Sequence, residues 1–265
     1  MTYETEHRSD ANGPSRLCPR LEEGRIDVRS VRRGCMTELV LLSDIHGNAP
    51  ALAKAVRREG AQADYVVLGD IHGLNAYPSE TVDIVRQLHG PKLAGNHDKA
   101  IFHKGEGHVN SKALSKFEFN HTVENISHDD LEFMRDLPYF QVIEGSPRIA
   151  LTHAMPWPEK ASGYEAGNAG VPKGNVPHFA SIVADDYDYV FHGHTHEQYD
   201  LDCSRFGHDV HFVNPGSLGW SGVYSVVDID SGEVEHKSVE VDHESLKEYV
   251  QSVLPDDAPH TREWF

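Results

Sequence analysis

The sequence predicts an α/β fold, and three observations carry that prediction. Short apolar runs alternate with amphipathic helical segments from residue 39 to residue 96. Each run closes on Ser-Asp, Gly-Asp or Gly-Asn, the mark of a buried strand stopping at a loop. Beyond Pro138 the balance shifts toward strands, so helices and strands are not evenly mixed along the chain.

Taken in order, residues 39–43 are a buried strand ending at Ser43-Asp44. Residues 49–58 have helical spacing, with Leu52, Ala55 and Val56 on one face and Arg57 and Arg58 off it. Residues 65–68 form a second strand, closing at Gly69-Asp70. Residues 79–88 form a helix with Val82, Val85 and Leu88 as its stripe and Ser79 as N-cap. Residues 92–94 are a brief third strand before Gly95-Asn96. Strand, loop and helix in this repetition indicate parallel βαβ units. Two further helices are predicted at 111–120 and 129–137. Asp129 or Asp130 caps the second, and Pro138 ends it. Strands follow at 140–144, 149–152, 189–191, 209–213, 223–228 and 234–241, the last two joined by a turn at Asp230-Ser231-Gly232. Residues 154–178, rich in Pro and Gly, are predicted to be a long loop over the site, and 245–253 a short helix.

Three units result. Residues 1–35 contain seven Arg, no Lys and no apolar periodicity; they are expected to be a disordered leader or sequence upstream of a true start at Met36. Residues 36–242 form the domain, and 243–265 a C-terminal helix and tail.

Composition limits what the chain does. With 42 acids against 24 bases the net charge is -18, which argues against an extended nucleic-acid surface, because phosphate neutralisation needs clustered Lys and Arg. No run approaches the roughly 18 apolar residues of a membrane span, and no secretory start is present, so a cytoplasmic protein without a membrane partner is expected. The three cysteines form no CxxC pair and indicate neither a disulfide framework nor a Cys-type zinc site. A homo-oligomer is compatible with the sequence.

Five segments place metal-binding side chains directly after predicted strands: Asp44-Ile45-His46, Gly69-Asp70, Gly95-Asn96-His97-Asp98, Thr152-His153 and Gly193-His194-Thr195-His196. In an open α/β sheet, ligands bind beyond the carboxyl ends of the strands. Carboxylate, imidazole and amide oxygen together suit Mn²⁺, Fe or Zn²⁺. Glycine before Asp70, Asn96 and His194 is expected to let the backbone turn sharply there.

At these residues the chain resembles the calcineurin-like metallophosphoesterase superfamily, which carries D-x-H, G-D, G-N-H-D/E, an isolated His and G-H-x-H in this order. The resemblance runs from about Met36 to about Val241. It implies a four-layer α/β/β/α sandwich of two mixed sheets flanked by helices. It implies a dinuclear centre in which Asp44, His46 and His196 bind one ion, Asn96, His153 and His194 the other, and Asp70 bridges both. Mn²⁺ is the first choice, with Fe, Zn, Ni or Mg as alternatives. His97 would act near the scissile phosphate as general acid or charge stabiliser, with Asp98 orienting it by hydrogen bonding, and a hydroxide bridging the ions would attack phosphorus in line.

Within the superfamily, Ser43-Asp44-Ile45-His46-Gly47-Asn48 and Asn214-Pro215-Gly216-Ser217 are similar to the small stand-alone phosphodiesterase branch. Protein phosphatases and diadenosine tetraphosphatases follow G-D with x-x-D-R-G, whereas here Ile71-His72-Gly73 follows. The resemblance therefore implies hydrolysis of a small or nucleotide-derived phosphodiester, with a phosphomonoester as the alternative. A non-catalytic scaffold of this fold, like the retromer subunit, is the reading from another class; the presence of His97 favours an enzyme. Trp220-Ser221 stands where many relatives have a polar or basic stretch. His72 reads as a loop histidine and His192 as a strand residue. His121, His178, Trp157 and Tyr164 are alternative substrate contacts.

Overall fold

A computed structural model describes residues 25–27, 38–73, 75–102, 122–154 and 170–253. The predicted helix at 111–120 and most of the predicted loop at 154–178 lie outside the described residues.

Two mixed sheets face each other. The smaller contains β2 (Glu38–Leu42), β3 (Asp64–Val67), β9 (Val223–Asp228) and β10 (Val234–Ser238), in the order β10-β9-β2-β3. β2 and β3 run parallel; β9 is antiparallel to both of its neighbours. The larger sheet has the order β1-β4-β5-β6-β8-β7, built from β1 (Arg25–Asp27), β4 (Phe140–Glu144), β5 (Ile149–Thr152), β6 (Tyr189–Phe191), β7 (Tyr199–Asp202) and β8 (His211–Asn214). β5, β6 and β8 run parallel, with β4 and β7 antiparallel outside them.

Side-chain alternation builds four layers from these strands. Leu39 and Leu41 of β2 join Val66, Ile149, Leu151, Phe191 and Val213 in one core between the sheets. Their neighbours Val40 and Leu42 turn the other way, with Tyr65 and Val67, onto α1 (Ala49–Glu59) and α2 (Pro78–Gln87). Ala150, Val190 and Phe212 face outward onto Phe179, Ala180 and Val183 of α5 (Val176–Val183). The result is helix, sheet, sheet, helix, as expected.

Several expected details change. Ser79 is not the N-cap of α2. Pro78, which lacks an N–H, takes the first turn behind Tyr77, and Ser79 Oγ donates to Asp130 Oδ2 at 3.0 Å. The helix predicted at 129–137 is α4 (His128–Arg135). Ser127 caps it, accepting from Asp130 N at 3.1 Å, so neither Asp129 nor Asp130 does. Residues 92–94 make only a bridge, because Leu93 N donates to Val67 O while Ala94 N turns away to Pro138 O. Arg25–Asp27, inside the expected leader, pairs parallel with Val142–Glu144 at the open edge of β4; three residues are too few for a sequence pattern. β7 is an addition to the predicted strands, because Asp200 and Asp202 disguise an edge strand whose buried residues are Tyr199 and Leu201. α5 begins inside the Pro/Gly-rich stretch, which hides it in the sequence.

Short helix α3 (Asn96–Ala100) carries three of the predicted site residues, Asn96, His97 and Asp98, and is anchored from behind. Buried Lys99 reaches the C-terminal end of α4, donating to Leu137 O at 2.6 Å and Arg135 O at 3.1 Å, beneath the Tyr139 ring. Lys99→Met removes both donors. It should lower unfolding stability by about 2–3 kcal/mol in urea titration; a loss below about 0.5 kcal/mol would mean that the anchor contributes nothing.

Candidate metal centre

All nine predicted residues meet at one edge of the sandwich, beyond the carboxyl ends of β2, β3, β5 and β6 or on α3. Backbone bonds lace the loops together. Asp44 N donates to Gly69 O, and both Ile45 N and His46 N donate to Asp70 O. Across the site, Leu218 N donates to Ser43 O, Gly219 N and Ser217 Oγ donate to Asp44 O, and Asn48 Nδ2 donates to Gly219 O.

This lacing holds the backbone in an unfavourable shape. Among the described residues, the non-glycine positions with positive φ are Asp44 (52°), His46 (51°), Asp70 (50°), His194 (72°) and His196 (57°). A non-glycine residue there costs on the order of 1–3 kcal/mol and persists only where its surroundings over-determine it. The expectation for the motif glycines is met only in part. Gly69, at φ +100°, does turn sharply, but Gly95 is extended. Close approach explains Gly95 and Gly193. A Cβ on Gly95 would lie 2.0 Å from Asp70 Oδ1, and one on Gly193 would lie 1.9 Å from Ser43 Oγ.

The donor atoms converge in two groups. In the first, His196 Nε2 lies 3.1 Å from His46 Nε2 and 3.2 Å from Asp44 Oδ1. In the second, His194 Nδ1 is 2.7 Å from Asn96 Oδ1, and His153 Nε2 is 3.1 Å from Asn96 Oδ1 and 3.2 Å from Asp70 Oδ2. Adjacent ligands on an octahedral cation with bonds of about 2.1 Å are about 3 Å apart, so both groups have the spacing of a coordination shell. Asp70 also forms a third cluster with His46 and His97, which puts it between the other two.

The remaining atoms of these side chains are already committed. Asp44 Oδ2 accepts from Ser43 Oγ at 2.7 Å and His194 N at 3.0 Å, while the buried Oδ1 has no hydrogen-bond donor. Asp70 Oδ1 accepts from His97 N at 2.9 Å, leaving Oδ2 toward the histidines. His153 Nδ1 donates to Leu68 O at 2.9 Å, which aims the Nε2 lone pair inward. An orphaned carboxylate oxygen beside imidazole nitrogens fits a divalent cation, and these residues are suited to hold one in each group.

Electrostatics agree. Burial alone would raise the Asp44 and Asp70 carboxyls, but the surrounding histidines hold both well below the usual carboxylate range. Burial lowers His46 to about 3, helped by His97, and His194 to about 4, helped by His153, so both are neutral ligands near pH 7. Burial also acts to lower His153, but Asp70 beside it pushes the ring up to about 9.

His97 lies next to the donors, its ring 5.0 Å from that of His46 and its Nε2 3.9 Å from Asp70 Oδ2. Asp98, expected to orient His97, directs its bonds elsewhere. It accepts from Gly95 N at 2.8 Å, from the backbone N–H groups of Ile71 and His72, and from His72 Nδ1 at 2.8 Å. It thus ties the start of α3 to the loop after Asp70 and acts on His97 through the backbone. His72 is fully buried in that tie, which accounts for it as a loop histidine. His192 is buried after β6, with Nε2 2.8 Å from Tyr199 Oη, and burial lowers it to about 4. His178 is exposed on α5; His121, Trp157 and Tyr164 lie outside the described residues. Ser43, Asn48 and Ser217 lie inside the motifs noted in the sequence, but their bonds to Asp44 and Gly219 depend on the fold and leave no mark in the spacing. A pocket of about 330 Å³ opens over the donors, lined by His46, His97, His196 and Trp220.

A model of the calcineurin-like phosphoesterase superfamily domain matches residues 37–232. Two solved structures share the fold, a metallophosphoesterase from Sphaerobacter thermophilus and a hypothetical protein from Pyrococcus horikoshii OT3. Each has a TM-score of 0.64 at 21% identity, covering 83% of this chain and 95% of its own. No curated protein matches the chain in sequence.

One pH effect follows from His153. With its pKa raised to about 9, the ring is protonated in the metal-free protein at pH 7 and must lose that proton to become a ligand. His46 and His194 are already neutral there. Mn²⁺ affinity should therefore rise about tenfold per pH unit from about 7 to 9 and level off above. Calorimetric titration across this range tests it; a flat affinity would remove the proton from His153.

Proposed function

The chain belongs to the calcineurin-like phosphoesterase superfamily, a family of phosphate-ester hydrolases, and from that premise we propose that it hydrolyses a small phosphodiester in the cytoplasm with a pair of divalent cations, Mn²⁺ first among them. The observation that carries this reading is the pair of donor groups on either side of Asp70, one with an oxygen, Asp44 Oδ1, that no hydrogen bond satisfies.

Asp44 Oδ1, His46 Nε2 and His196 Nε2 would hold one cation, and Asn96 Oδ1, His153 Nε2 and His194 Nδ1 the other, with Asp70 common to both. Bound cations supply Lewis acidity at the phosphoryl oxygens and a water of lowered pKa as nucleophile. The chain's own residues do the rest. The lacing of the loops fixes the donors before substrate arrives, so little reorganisation is needed during reaction. His97, held by its backbone bond to Asp70 Oδ1, sits at the pocket wall where its ring can pass a proton to the leaving oxygen. Among the described residues the pocket is lined by no Lys or Arg, which suits the single charge of a diester better than the double charge of a monoester.

Mn²⁺-loaded protein should hydrolyse bis(p-nitrophenyl) phosphate at least tenfold more efficiently than p-nitrophenyl phosphate; the opposite ranking would make it a phosphomonoesterase. His97→Ala should keep its cations and lose on the order of 10²-fold in kcat toward the diester. Unchanged turnover in that variant would take His97 out of the mechanism.

A further inference from the structure

Trp220 is the one large apolar side chain among the described residues lining the pocket over the donors. It stands beside the ligands, its ring centroid 6.0 Å from that of His46 at a tilt of 47°. Its mount is firm although the helix that carries it, α6 (Leu218–Ser221), is only four residues long. Ser217 Oγ accepts from Trp220 N at 3.2 Å and donates to Asp44 O at 2.9 Å. Gly219 N donates to the same oxygen at 3.0 Å. The helix sits so close to the metal-binding loop that a Cβ on Gly219 would lie 2.1 Å from Ile45 O. The backbone that carries the indole is therefore held by the same carbonyl of Asp44 that anchors the metal-binding loop, which keeps the ring beside His46.

We infer that Trp220 is the specificity wall of this site, stacking against a nucleobase on one arm of the phosphodiester. This rests on the phosphoesterase reading of the same pocket and narrows its substrate class to small nucleotide-derived esters. Three features support it. An indole presents a broad π-face to planar rings and nothing comparable to an alkyl arm. The pocket's volume of about 330 Å³ is at the small end of ligand-binding sites, which suits a small ester. A net charge of -18 disfavours long polyanions, so recognition has to come from the ring and one phosphate rather than from a run of phosphates. Trp220 touches the base, not the reacting atoms, and so governs binding rather than the chemical step.

The test measures equilibrium binding to the full-length Mn²⁺-loaded protein, with AMP and glycerol 3-phosphate as probes of equal charge, one with a ring and one without. Trp220→Ala should weaken AMP about tenfold, at least five times more than it weakens glycerol 3-phosphate. Trp220→Phe should recover most of the loss, and Trp220→Leu, which keeps bulk without a π-face, should not. Equal weakening of both probes, or an unchanged AMP affinity, would overturn the inference; Trp220→Leu serves as the deciding variant if Trp220→Ala does not fold. Both probes are monoesters, which the phosphodiesterase reading leaves uncleaved; phosphate release is followed in the same samples and any release counts against that reading alone, so the two readings fail separately. Failure to hydrolyse any diester would sink the phosphodiesterase reading, while the ratio of the two affinities alone decides the role of Trp220.

Discussion

Seven side chains with metal-binding atoms converge on two small volumes, with neighbouring atoms 2.7–3.2 Å apart, the spacing that a bound cation requires of its ligands. Everything else in the structure serves that convergence. Two parallel strand pairs, β2–β3 and β5–β6, deliver the loops to one edge. Asp70 O takes the amides of Ile45 and His46, and Asp44 O takes Gly219 N and Ser217 Oγ, so the loops are tied to each other rather than only to their strands. Five of the donors, Asp44, His46, Asp70, His194 and His196, hold left-handed backbones that no isolated loop of these sequences would choose. The sandwich core opposes that strain, and the donors are preorganised as a consequence.

The same tension explains the unusual titration. A buried carboxylate is unfavourable alone and a buried imidazolium equally so. Placing Asp70 against His153 lets each stabilise the other's charge, which lowers the acid and raises the base. The proton on His153 then occupies a place suited to a metal, so proton and cation compete for one lone pair.

Much of the fold, and which residues converge at the site, can be read from sequence, because both are patterned. Buried strands are apolar runs with sharp ends, and the layers follow from alternation, as in Leu39 to Leu42. The donors come as ordered motifs whose types match one chemistry. Features lacking a local pattern stay hidden. β7 lies behind Asp200 and Asp202, and α5 behind a Pro/Gly stretch. The caps Tyr77 and Ser127 differ from those expected because Ser79 and Asp130 have better partners in space, each other. Asp98 is the neighbour of His97 in sequence, whereas the fold turns its carboxylate toward His72 and the amides of the preceding loop. Trp220 is a mere departure from a pattern in the sequence; only the fold brings its ring to the pocket wall.

The central claim is that two cations occupy the two donor groups with Asp70 between them. A crystal equilibrated with Mn²⁺ and measured at the manganese absorption edge tests this most directly. Two anomalous peaks about 3.5–4 Å apart, one within reach of Asp44, His46 and His196 and the other of Asn96, His153 and His194, are the predicted result. A single peak, or none at Asp70, would contradict it.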